Sequence, residues 1–355
     1  MSKIKKDFTG IKVFAGIDAH SVSHQLSIFV NDTFYKSVRM PATNHNIINY
    51  LHKNFPGADF YSAYEAGFCG FGLHYDLLEN GIKNIVVHAA DIPISHKHRE
   101  QKSDKVDSKL IAQCLMGQQL IGIFVPDQQQ VALRNLVRLR DQVVTDLNRC
   151  RCRIKMKLHF LSITIPEELK GSRWTKKFIS WLQSISGLCE MNKYTLDFQI
   201  SDMLHIREKL LTINRKLREL SRSQEYEAVY NLLISAPGIG MVGAWRIISE
   251  IGDMTRFQSE KQICSYAGLI PNSKASGENH YAGRITVRGN KLLRTTFIEA
   301  AHIARRNDPA LAAFYQKTNQ RKTKSNTAIV AVARKLLCRI RHMMINSCLY
   351  EKGVA

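Results

Sequence analysis

Residues 11–20 read IKVFAGIDAH, and they decide the fold of the N-terminal third. Ile11 to Ile17 forms a short apolar strand that delivers one carboxylate, Asp18, at its C-terminal end. Two more extended runs follow, His24 to Val30 and Thr33 to Met40, divided by the turn-like pair Asn31-Asp32, so three strands in meander order are expected. Thr43 can cap a helix that carries Ile47, Ile48 and Leu51 on one face. Pro56-Gly57 ends that helix before a strand from Asp59 to Tyr64, which stops at Glu65. A helix over Gly72 to Glu79, a strand from Asn84 to His88 and a helix from about Ser103 to Met116 complete the order β-β-β-α-β-α-β-α. That is the order of the ribonuclease H fold.

The placement of the acids in this pattern matters more than their number. Asp18 and Glu65 stand at the ends of the first and fourth strands, which are neighbours in that fold. Asp104 and Asp107, in KSDKVD, are three apart and share one helix face. Taken singly, each acid also fits an ordinary place: a strand end, a turn, a helix cap, a solvated first-turn charge. Taken together they are the hard oxygen donors that Mg²⁺ prefers. Two such ions a few ångströms apart can clamp the attacking and leaving oxygens of a phosphodiester. Four uncompensated carboxylates this close would repel one another, and divalent cations are the natural remedy.

Composition points to the substrate. The chain carries 51 Lys+Arg against 30 Asp+Glu, a formal charge of +21 over 355 residues, which favours a polyanionic partner and nucleic acid first. Hydrophobic residues at 45% allow a proper core, which excludes a disordered tail-binding protein. The eight cysteines are scattered without a CxxC pair, so reduced structural thiols are expected rather than a zinc knuckle. No stretch has the length of a membrane span, and no apolar leader is visible at the start, so work in the cytoplasm, bacterial and nucleoid-associated when active, is expected.

From Leu133 apolar groups recur at Leu136, Val143, Leu147, Cys150, Ile154 and Leu158, with Arg140 interrupting the series. A second series runs Leu196, Ile200, Met203, Ile206, Leu210, Ile213, Leu217 and Leu220. The heptad spacing predicts two helices that pack on each other or on a second protomer as a coiled coil. Within the first, Arg149, Arg151, Arg153, Lys155 and Lys157 wrap positive charge around several faces and can grip phosphates, although a solvated basic face is the commoner meaning of such a run. The stretch around Pro166 to Gly187 has no decisive pattern.

Downstream, SAPGIG (235–240) followed by an apolar helix from Val242 to Ile251 looks like a helix-hairpin-helix, whose amides at Gly238 and Gly240 can hold a backbone phosphate; an ordinary Gly-rich connection fits these residues equally well. The segment from Gly268 to Arg294 reads as a flexible, Gly-punctuated basic loop leading into a helix over Lys291 to Ala304. It carries Ser276 before Gly277, with Arg284, Arg288 and Arg294 close by. A serine without a His or Asp partner nearby is ordinarily an inert loop residue.

The motifs GID, YEAG, SDKVD, SAPGIG and AGLIP…SG…GRITVRGNKLLR, in this order across nearly the whole chain, resemble the DEDD transposases of the insertion-sequence 110 and 1111 group and the related Piv-type DNA invertases. The resemblance implies a RuvC-like catalytic domain at 1–126, a coiled-coil helical domain at 127–228 and a mainly helical transposase domain at 229–355. It implies Asp18, Glu65, Asp104 and Asp107 as a tetrad for Mg²⁺, two ions per site, and Ser276 as a nucleophile that forms a covalent phosphoserine with DNA. It also implies a structured noncoding bridge RNA that pairs with target and donor DNA, and assembly as a dimer or tetramer with composite sites. Two other readings of the residues stay open: a RuvC-like nuclease that uses water, and a nucleic-acid-binding protein without activity.

Overall fold

The computed structural model describes residues 7–93, 103–171, 174–276, 279–286, 288–321 and 325–353. The chain divides into two compact units, Met1–Pro126 and Asp127–Ala355.

The first unit is built on a five-stranded mixed sheet. Its strands are β1 (Lys12–Ala19), β2 (Ser23–Val30), β3 (Thr33–Pro41), β4 (Asp59–Glu65) and β5 (Lys83–Val87), in the spatial order β3-β2-β1-β4-β5. β1 pairs antiparallel with β2 and parallel with β4, and β5 extends the parallel side. The first strand therefore lies in the middle, flanked by its own hairpin partner and by the strand that bears Glu65. β1 runs one residue beyond the expected end at Asp18, to Ala19, because Asp18 and Ala19 still pair with Gln25 and His24.

Strand alternation divides the sheet into two unlike faces. One face presents Val13, Ala15, Ile17, Leu26 and Ile28 to a core completed by Ile47, Ile48 and Leu51 of α1 (Asn44–Asn54) and Leu73 and Leu77 of α2 (Gly72–Glu79). Thr43 sits at the N-cap position of α1 as expected, but its side chain makes no capping bond.

The other face carries α3 (Asp104–Met116), capped by Ser103 rather than by Asp104: the Ser103 hydroxyl accepts from the Val106 amide. This helix sits unusually low. Across the sheet, Ser37, Ser27, Gly16 and Ala63 are registered side by side, a row of small residues that leaves room for its backbone. The Ser108 hydroxyl lies 2.8 Å from that of Ser27, which lies 2.7 Å from that of Ser37, so the buried polar groups satisfy one another. A β-carbon on Gly16 would lie 2.1 Å from the Ser108 carbonyl oxygen and 2.4 Å from the Ala112 nitrogen, both backbone atoms that cannot step aside. Gly16→Ala is therefore expected to lift α3 from the sheet and cost about 3 kcal/mol, the upper end of ordinary overpacking. Urea unfolding followed by circular dichroism checks this; an unchanged midpoint would show that the helix has slack to move.

The second unit begins with a long antiparallel helical hairpin, α4 (Gln128–Phe160) and α6 (Glu190–Leu220), bridged by the short α5 (Lys176–Ser184). Leu147, Cys150, Ile154 and Leu158 face Leu196, Ile200 and Met203 in one cluster. Leu169, Phe178, Ile179 and Leu182 cap it, drawn from the stretch whose pattern is undecided in the sequence. Lys157–Asn192, Cys150–Asp202 and Arg140–Asn214 contacts mark the register down the hairpin. The break in the heptad at Arg140 has a physical cause. Its guanidinium donates to Asn214 and Asp141, and Asp141 in turn accepts two bonds from Arg246, which makes a polar junction at the root.

That root shares its core with the remaining helices, α7 (Glu227–Ile234), α8 (Met241–Ile251), α9 (Glu260–Tyr266), α10 (Lys291–Asn307), α11 (Pro309–Arg321) and α12 (Ser325–Asn346). Trp245 lies wholly buried at its centre against the rings of Tyr226 and Tyr230. Glu250, 1% exposed, is held bidentately by Arg138 at 2.7 and 2.9 Å and by the Asn290 amide at 2.7 Å. A buried carboxylate is tolerated only with such partners.

The segment expected as a flexible loop is regular. Pro271–Ser276 (β6) and Asn279–Ile285 (β7) pair antiparallel, with Ser276 opposite Asn279 at the tip and an irregularity between Pro271 and Ser273. Its Gly, Pro and Ser content suggests a loop, yet inter-strand pairing overrides that weak local preference.

Candidate active site

Two features of the fold bring acids to one edge of the sheet, and among the described residues only Asp18 and Asp104 of the four join a group of donor atoms within 4.8 Å of one another. In the parallel pair β1–β4 the last registered residues are Ile17 and Tyr64, so Asp18 and Glu65 follow side by side at the same edge of the sheet. Asp18 alternates with Ile17 and shares the Gly16 face, the one α3 covers. The close seat of α3 on Gly16 then brings its first turn, with Asp104 and Asp107, over Asp18.

Asp18 and Asp104 are joined by a residue that the acid pattern does not include. The Nε2 of His20 lies 3.2 Å from Asp18 Oδ2 and 3.3 Å from Asp104 Oδ1. One donor atom from each of the three residues fits within a 4.8 Å sphere of mutual distances, a spacing able to hold a metal ion. His20 stands just past the end of β1, two residues after Asp18, and that spacing in GIDAH is the signal that could have found it.

The electrostatics fit a cation site. Burial pushes the Asp18 carboxyl above the ordinary carboxylate range; His20 pulls it back, and the charges of Asp104 and Asp107 push it up again. Asp107 is therefore near enough to act on Asp18. Glu65 is exposed at the end of β4. The donor set of carboxylates with one imidazole suits a divalent ion, and a half-buried carboxylate short of positive charge is what such an ion would satisfy.

The other candidate residues have varied settings. Arg149 and Arg153 are exposed on α4, with Arg149 paired to Asp146. Arg151 and Lys155 lie over the Trp174 ring, and Lys157 donates to Asn192. Gly240 leads α8 with open space before it. Gly238, at φ +86°, is pressed against α10: a β-carbon there would lie 2.5 Å from the Ala300 carbonyl oxygen, so packing alone accounts for the glycine. Arg294 is tucked over Gly268 and donates to the Arg288 carbonyl at the base of the β6–β7 pair, and Arg288 itself is exposed. The side chains of Ser276 and Arg284, and all of Gly277, lie outside the described residues. All eight cysteines are free thiols, and among the described residues no helix is long and apolar enough to cross a membrane.

Comparison with known proteins finds matches in both units. Residues 15–163 match the DEDD transposase model of IS110, and residues 230–316 match the model of the transposase IS116/IS110/IS902 family. The protein y4qE of Sinorhizobium fredii is 28% identical over 302 residues, covering 78% of this chain and 73% of its own length. The transposase for insertion sequence element IS1111A of Coxiella burnetii is 24% identical over 247 residues, covering 67% and 65%. The pilin gene-inverting protein of Moraxella bovis is 29% identical over 147 residues, covering 41% and 46%. With the acid-bearing sheet inside the first match and the β6–β7 segment inside the second, the chain belongs to the IS116/IS110/IS902 family of insertion-sequence transposases.

Proposed function

We propose that this transposase cuts and rejoins DNA through Ser276, assisted by divalent metal, Mg²⁺ in the cell, held by Asp18, Glu65, Asp104 and Asp107. The observation that carries the metal half is the convergence of Asp18 and Asp104 from a strand end and a helix first turn. The strand order β3-β2-β1-β4-β5, with acids at the ends of adjacent β1 and β4, supports a ribonuclease-H-like, RuvC-type domain at 1–126. The helical hairpin supports a coiled-coil connector at 127–228 and the transposase region the remainder, 229–355.

A bound divalent ion would polarise the phosphoryl oxygens and stabilise charge on the attacked phosphate. The residues of the chain do the rest. The carboxylates would hold that ion at the sheet edge, and α3, seated on Gly16, sets the distance between Asp18 and Asp104. The Ser276 Oγ–P bond forms as a P–O bond to one deoxyribose breaks, and the serine proton ends on the leaving hydroxyl. Phosphodiester bonds are conserved in number, so rejoining needs no outside energy. Arg284, Arg288 and Arg294 lie in or just after the segment that carries the serine and are suited to neutralise a phosphate there or to bind the duplex backbone.

The charge of +21 and the exposed Arg149 and Arg153 support contact with more nucleic acid than one duplex, in keeping with a bridge RNA beside target and donor DNA. The acids and the serine belong to different units, which favours assembly as a dimer or tetramer in which partners complete each other's sites. A nuclease using water is the second reading, because the acid cluster suffices for it. Incubation with DNA carrying the joined element ends and Mg²⁺ separates the two: the expected product is a metal-dependent covalent adduct, with the DNA phosphate on the Ser276 peptide by mass spectrometry. Cleavage without an adduct would establish hydrolysis instead.

A further inference from the structure

The His20 imidazole is unexplained by a site made of acids alone. Its Nε2 approaches carboxylate oxygens of both Asp18 and Asp104, which come from different elements, at 3.2 and 3.3 Å. A single ring nitrogen carries one lone pair or one proton, so it cannot make a strong, linear hydrogen bond to each. Donors about 2.1 Å from a common octahedral ion lie roughly 3 Å from one another; the two nitrogen–oxygen separations here are close to that, and the three donor atoms lie within 4.8 Å of one another. His20 reaches it from the turn just past β1, two residues after Asp18. Its ring is 45% exposed, which leaves it accessible to an incoming ion.

We propose that His20 is a direct ligand of the ion held by Asp18 and Asp104, and that it tunes this position toward manganese and the later first-row divalent ions over magnesium. Mg²⁺ keeps to oxygen donors and its own waters, whereas an imidazole nitrogen adds affinity along the series from Mn²⁺ upward. The acids would still bind Mg²⁺, and the imidazole shifts the balance between the two ions at equal concentrations. This presupposes the divalent-metal reading given above, and the test separates the two.

Full-length protein is titrated with Mn²⁺ and the free ion followed by electron paramagnetic resonance; Mg²⁺ is then added as competitor. Bound Mn²⁺ is examined for nitrogen-14 modulation of its electron spin echo. The wild-type protein is expected to show that modulation. His20→Ala should lose it, bind Mn²⁺ about 10-fold more weakly and keep its Mg²⁺ affinity within about twofold. Mn²⁺ bound by the wild type but released by Asp18→Asn, with no nitrogen modulation in the wild type or with modulation retained in His20→Ala, would overturn the role of His20 and leave the metal site standing. Equal Mn²⁺ binding by the wild type and Asp18→Asn would overturn both. The wild-type echo signal needs no variant to fold.

Discussion

Asp18→Asn is expected to abolish DNA cleavage while leaving the protein folded and, without metal, slightly more stable. The two effects have one cause. Burial and the charges of Asp104 and Asp107 lift the Asp18 carboxyl above its ordinary range, and His20 offsets only part of that. A carboxylate whose folded pKa is raised binds its proton more tightly in the folded state. Stability therefore falls as pH rises from the ordinary value near 3.8 through the raised one, and the penalty persists at neutral pH. Asparagine removes that charge and the penalty with it. It also removes the anionic donor central to the cluster, the one that meets His20 from within the sheet. Loss of one such ligand forfeits several kcal/mol of transition-state stabilisation, about 10³-fold or more in rate. Thermal unfolding with and without Mg²⁺ gives the discriminating reading. Wild type should be stabilised by the ion by mass action and Asp18→Asn should not. A variant that is inactive because it is unfolded would show neither the small stability gain nor a cooperative transition.

The same site shows which parts of the architecture are legible in sequence. The strands of the first unit are, because apolar runs punctuated by Asn31-Asp32 and Pro56-Gly57 leave little choice, and the sheet order then makes Asp18 and Glu65 neighbours. The helical hairpin is legible for a similar reason, since a heptad seam survives one interruption. His20 escapes because a histidine two residues after an acid is by itself a weak signal; only the descent of α3 onto Gly16 brings Asp104 to it as well. The Gly16 requirement is itself invisible locally, as its clash is with residues more than ninety positions away. The cap on the hairpin, with Leu169, Phe178 and Leu182, is illegible because its residues come from short irregular turns that gain order only by packing on the helices. The Ser276 segment reads as loop for the opposite reason: its residues have poor strand preference, and pairing between 271–276 and 279–285 supplies the order.

Ser276→Ala is expected to abolish strand exchange and the covalent adduct while leaving affinity for nucleic acid unchanged, since one hydroxyl contributes little to a binding surface drawn from a net charge of +21. The alternative of a water nucleophile predicts near-normal cleavage by this variant, so the substitution alone decides between them. Mixing it with Asp18→Asn then addresses the division of labour between the two units. If each chain completes its own site, every protomer in the mixture carries one lethal change and no activity returns. If the acids of one protomer act with the serine of another, each mixed dimer has one site made only of intact halves and one made only of damaged halves. With random pairing, half the dimers are mixed and about a quarter of the wild-type sites return. Recovery must also depend on co-refolding or subunit exchange, since pre-formed homodimers mixed without exchange stay inactive. A quarter of the activity regained after exchange, and none before it, would assign the acids and the serine to different copies of the chain. The +21 charge would then also serve to hold two protomers on one DNA junction long enough for each to complete the other.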